Sequence, residues 1–149
     1  MFLEEIFSTP IYGFDLELDV ESIRYWCYSV LKENPGRQIS NIGGWQSEDF
    51  REFGNTPLTD LILYAVKESH NIAKDLGIPE GDRWVENLWI NINPKYSYNQ
   101  VHVHPEARLS GVFYVSAPEK SGDICFTRPN GYSLGTVAPN STRYSSCEW

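Results

Sequence analysis

The hydrophobic period of this chain changes once, near Asp82, and that change limits the folds open to it. Before it, Leu58, Leu61, Ile62, Ala65, Val66, Ile72, Ala73 and Leu76 recur at the i, i+3, i+4, i+7 spacing of one helix face. Thr56-Pro57 starts this helix and Gly77 stops it, with Pro79 just beyond. His70 lies off the apolar stripe and reads as an exposed helix residue. An earlier helix is predicted over 20–33. Asp19 caps it, Val20, Ile23, Trp26, Cys27, Val30 and Leu31 form its stripe, and Asn34-Pro35-Gly36 ends it. After Asp82 the period is two. Trp84, Glu86, Leu88, Ile90 and Ile92 share one face of a long strand over 84–93, and Val85, Asn87, Trp89, Asn91 and Asn93 share the other. Residues 94–99 are expected to turn the chain, with short strands following over 100–104, 109–116, 123–128 and 144–149. Residues 10–18 alternate imperfectly and suggest an extended segment. Helices followed by a run of strands specify an α+β fold, with the helices packed on a β-sandwich or barrel. The 149 residues suit one domain, helical over 1–80 and β-rich over 81–149.

A net charge of −8 argues against a nucleic-acid backbone or an anionic membrane surface as a partner. Cys27, Cys125 and Cys147 are widely spaced, form no C-x-x-C pair and read as reduced thiols. The N-terminus has early acids and no basic region of the signal-peptide kind, and no run is apolar enough to span a membrane. A cytoplasmic location is the expectation.

The chemistry concentrates in Val101-His102-Val103-His104-Pro105-Glu106, which holds two of the three histidines. On an extended backbone His102 and His104 point the same way, about 7 Å apart at their Cα atoms. One metal ion with bonds of about 2 Å is within reach of both. Spacing alone leaves metal binding and a chance pair on an exposed strand equally open. Glu106 continues the alternation as a third or alternative ligand, against a plain reading as a solvated turn residue. Two histidines and a carboxylate on one face would suit a non-haem iron centre, whereas structural zinc would want four protein ligands, preferably thiolates. Asn91, Asn93 and Tyr96 before the pair, and Arg108 after it, could bind a small polar ligand, with Arg108 on a carboxylate, against its plain reading as a surface residue. Asn91 and Asn93 on a solvated sheet face are the equal alternative. The loop Ser40-Asn41-Ile42-Gly43-Gly44-Trp45-Gln46-Ser47 carries no phosphate-binding pattern, and Trp45 reads as a packing anchor.

That loop, the His102-Val103-His104-Pro105 stretch, and Ser110-Gly111-Val112-Phe113-Tyr114-Val115 with Pro118, Ser121-Gly122, Ile124 and Phe126 together resemble a family of 2-oxoglutarate- and Fe(II)-dependent oxygenases of marine bacteria and phages. The opening Ile6-Phe7-Ser8-Thr9-Pro10-Ile11-Tyr12 is similar to the start of that family. The resemblance implies a double-stranded β-helix, a jelly roll, with the two helices on one side. It also implies Fe(II) as cofactor, 2-oxoglutarate as co-substrate, and hydroxylase-type chemistry, in host cytoplasm if phage-encoded. By position His102 matches the histidine of the family's His-x-Asp/Glu motif and His104 its acid. Reading His104-Pro105-Glu106 as the motif restores the usual set. The resemblance further implies a distal histidine and a 2-oxoglutarate-binding arginine, but only 45 residues follow His104 and none is histidine, while Arg143 lies too early. The expectation is therefore a jelly roll truncated at its C-terminus, whose last strand edge could support self-association. A degenerate, non-catalytic jelly roll that binds a metal or ligand is the alternative. A cupin-like enzyme ranks last, because the cupin glycine and later histidine motifs are missing.

Overall fold

The computed structural model describes residues 9–105 and 107–127, and the backbone alone of 133–137 and 144–145. Two helices form where the apolar stripes place them. α1 spans Val20–Glu33, and the Asp19 carboxylate accepts from the Ser22 amide at 3.0 Å and from the Ser22 hydroxyl at 2.6 Å. Those bonds satisfy an amide that the first helical turn leaves without a partner and hold the Asp19 carboxyl below its ordinary pKa. α2 spans Thr59–Asp75 and ends through the Leu76 and Gly77 amides, with Gly77 at φ +65°. His70 is exposed on it.

The strands are shorter than their sequence patterns. β1 (Asn41–Ile42) pairs antiparallel with β4 (Tyr98–Asn99), and β2 (Trp45–Gln46) with β3 (Asn91–Ile92). β5 (Ile124–Thr127), β6 (Ser133–Val137) and β7 (Tyr144–Ser145) form a separate antiparallel sheet in that order. The described residues thus form an α+β arrangement of three small sheets, and the two facing sheets of the expected jelly roll are not formed among them.

Both helices cover the pairing between 45–50 and 88–92. Ile23 and Cys27 of α1, Leu58 at the start of α2, and Ile90 form the buried cluster, with Trp26, Trp45, Phe50, Leu61, Ile62, Leu88 and Ile92 packed against it. The Ser47 hydroxyl, fully buried, accepts from the Ile90 amide at 2.9 Å, and the Ser47 amide donates to the Ile90 carbonyl at 3.0 Å. Asn41, also buried, donates from Nδ2 to the Arg37 and Gly44 carbonyls at 3.2 and 2.9 Å. These polar side chains hold the loop against the sheet in place of apolar packing.

Two strand expectations change. The strand over 84–93 shortens, because its partner segment pairs no further than Phe50 with Leu88 before entering the turn that precedes α2. Trp84 is 69% exposed, its indole donating to Glu86. Residues 94–99 do turn the chain, the Ser97 amide donating to the Pro94 carbonyl at 3.1 Å, but they close no hairpin, since Ile92 and Tyr98 pair with Trp45 and Ile42 and not with each other. The step from Ile42 to Trp45 is three residues and that from Ile92 to Tyr98 is six, so three surplus residues bulge out around Tyr96, which sits at φ +70°. The segments 100–104 and 109–116 form no strands. The ladder stops where the Gln100 amide donates to the Ser40 carbonyl at 2.7 Å, because the chain before Ser40 turns onto its own loop through Arg37 to Gln46.

Gly36 makes that turn possible. It sits at φ +72°, and a Cβ there would strike the Trp45 indole and lie 2.7 Å from the Gln46 carbonyl. Gly36→Ala is therefore expected to cost about 1–3 kcal/mol, read as a lower urea midpoint at unchanged slope. A variant as stable as wild type would contradict the packing of Trp45 described here.

Candidate metal centre

His102 and His104 lie just past the last rung of the β1–β4 pairing, on backbone with no ladder partner of its own. The two-residue spacing sets the rings side by side, with centroids 5.0 Å apart and planes at 29°. Their Nε2 atoms are 3.0 Å apart. Two metal–nitrogen bonds of about 2.1 Å at a right angle separate the donors by about 3.0 Å, whereas a tetrahedral angle gives about 3.4 Å. The observed spacing is compatible with neighbouring ligands on an octahedral ion, and it is equally that of a hydrogen bond between the two rings.

Each remaining ring nitrogen has a partner. His102 Nδ1 lies 2.7 Å from the Gln100 carbonyl oxygen, and His104 Nδ1 lies 2.7 Å from Ser110 Oγ. A carbonyl only accepts, so His102 carries its proton on Nδ1 and presents a bare Nε2 lone pair. This is the outer-partner arrangement that orients metal-binding imidazoles. The Trp89 ring meets His104 edge-on, with centroids 5.3 Å apart and planes at 66°. Partial burial disfavours the imidazolium of His104, and the neighbouring His102 adds repulsion, so the His104 pKa lies below the ordinary imidazole value. Both histidines are nonetheless exposed.

Among the described residues no group of three His, Cys, Asp or Glu side chains converges. Glu106, the sequence candidate for a third ligand, lies outside the described residues. Asn91 pairs with Gln46, and the Asn93 carboxamide sits over Gly44, where a Cβ would strike it. Tyr96 is 87% exposed at the bulge, under the Lys95 ammonium at 4.8 Å from the ring centroid. Arg108 is exposed. No hydrogen bond joins these four to the imidazoles among the described residues. Of the residues that do touch the pair, Ser110 and Trp89 carry no functional role in the sequence reading. Ser110 stands within a quoted motif, but its approach depends on the chain after Pro105 folding back, which no local period encodes.

The region that holds this pair has a known likeness. Residues 87–147 match the family model described as "Putative 2OG-Fe(II) oxygenase". The matched segment includes His102, His104, Ser110 and Trp89, and leaves out both helices. No curated protein and no solved structure matches the chain. The donor set agrees in part with what the family name implies: two neutral imidazole nitrogens at neighbouring-ligand spacing suit Fe(II).

Proposed function

We propose that the chain is a 2-oxoglutarate- and Fe(II)-dependent oxygenase domain of the hydroxylase type. The carrying observation is the 3.0 Å Nε2 to Nε2 spacing of His102 and His104 within the segment that matches this family. In this reading the two imidazoles hold the iron, with Glu106 as the third protein donor. Asn91, Asn93, Tyr96 and Arg108 supply polar contacts for the co-substrate, the Arg108 guanidinium taking a carboxylate. When bound, Fe(II) supplies the redox chemistry that couples decarboxylation of 2-oxoglutarate by O₂ to hydroxylation of a C–H bond. The chain's own part is to hold the two rings with their Nε2 atoms converging in fixed orientation. The Gln100 carbonyl holds His102 in the Nδ1–H form, and the Trp89 edge limits rotation of His104.

The test is an anaerobic Fe(II) titration with and without 2-oxoglutarate, followed by the weak visible absorption of the ternary complex. Absence of both iron binding and the band overturns the reading. A second reading, a non-catalytic metal-binding domain, is favoured by the exposure of both imidazoles, because an oxidising centre normally excludes water. Iron binding with no 2-oxoglutarate-dependent band selects it. A cytoplasmic setting and self-association through the outer edge of β7 belong to the same proposal. No helix among the described residues is long and apolar enough to cross a membrane.

The pH dependence has a defined sign. A metal competes with protons for neutral imidazole, and partial burial with the neighbouring His102 holds the His104 pKa below the ordinary imidazole value, so that ring stays neutral further into the acid range. Fe(II) affinity is expected to be level near neutrality and to fall as the pH becomes acid enough to protonate the imidazoles. Stoichiometric retention of iron at about pH 5 would count against the histidines as ligands.

A further inference from the structure

The contacts around the two imidazoles form a directed chain. His102 Nδ1–H donates to the Gln100 carbonyl, which leaves His102 Nε2 able only to accept. The 3.0 Å contact between the two Nε2 atoms then requires His104 to carry its proton on Nε2. His104 Nδ1 is left as a lone pair, and the Ser110 hydroxyl 2.7 Å away donates to it. In the metal-free chain, therefore, the Nε2 that a metal would use is protonated in one of the two rings.

We propose that Ser110 is the positioning residue that lets His104 exchange this tautomer for the metal-binding one. This rests on the proposed metal reading of the histidine pair. For His104 Nε2 to bind a cation, its proton leaves Nε2 and an equivalent proton is taken up on Nδ1, with water as carrier, since the ring is exposed. No net proton is gained or lost. The Ser110 hydroxyl turns from donor to acceptor, and the distance does not need to change because a hydroxyl can serve either way. A carbonyl at the same place would fix one form permanently, as Gln100 does for His102. A methyl group would support neither. Ser110 is exposed, and the described residues give its side chain no bond other than that to His104.

The test uses the whole chain with ¹⁵N-labelled histidine, and Zn(II) as a diamagnetic probe. Imidazole ¹⁵N shifts report which nitrogen carries the proton. Without metal, His102 is expected as Nδ1–H and His104 as Nε2–H; with Zn(II) both are expected as Nδ1–H. Ser110→Ala should leave metal-free His104 as Nε2–H, which the contact with His102 still requires, but should weaken Zn(II) binding about tenfold, with the thermal midpoint unchanged. Ser110→Thr, which keeps the hydroxyl, should restore the affinity. Metal-free His104 found as Nδ1–H in wild type, or an alanine variant with wild-type affinity, overturns the role of Ser110 and leaves the metal reading standing. Zn(II) that moves neither histidine's nitrogens overturns the metal reading, and the exchange role with it.

Discussion

Replacing either His102 or His104 by alanine is expected to remove Fe(II) binding almost completely. The two Nε2 atoms act as a single clamp at 3.0 Å, and one imidazole on exposed backbone is no clamp. The loss should exceed the about 10–100-fold that follows removal of an outer hydrogen-bond partner. The single variants should lose nearly as much as the double one, because neither ring binds well without the other. Calorimetric titration of Fe(II) under anaerobic conditions measures all three. His70→Ala is the control, since His70 lies on the exposed side of α2 and should bind as wild type. A single variant that keeps wild-type affinity would show that the metal is held elsewhere.

The second large effect concerns stability. Ile23 is 1% exposed and packs with Cys27, Leu58 and Ile90 where α1, the start of α2 and the 88–92 segment meet. Ile23→Ala removes about three carbons of buried side chain and leaves a cavity that three separate pieces of chain must close. The expected cost is about 3 kcal/mol, within the range of about 2–5 for such truncations. It should appear as a lower urea midpoint with unchanged slope. Ile23→Val, which keeps most of the volume, should cost about 1 kcal/mol. An alanine variant within about 0.5 kcal/mol of wild type would mean that α1 does not pack as described.

The helices were legible because each carries its information locally. The stripe of α1, the Asp19 cap and the glycine that follows α2 are all within a few residues of what they specify. Alternation by itself does not specify a strand here. Val101 and Val103 are β-branched and alternate correctly, yet they are 77% and 79% exposed, because a strand also needs a neighbour and Ser40 is the last residue that offers one. The same division holds at the candidate metal centre. His102 and His104 could be read from a spacing of two. Ser110 and Trp89 could not, since their approach to His104 comes from separate parts of the fold.

The three surplus residues around Tyr96 have a consequence for where the histidines lie. Ahead of the bulge the pleat holds one set of side chains inward, and the even positions Leu88, Ile90 and Ile92 belong to the core. Beyond it every residue from Tyr98 to His104 is exposed, odd and even alike, and His104 lies against Trp89. The bulge is where the chain leaves the core: past it neither face of the backbone is covered, and both imidazoles stand open to solvent.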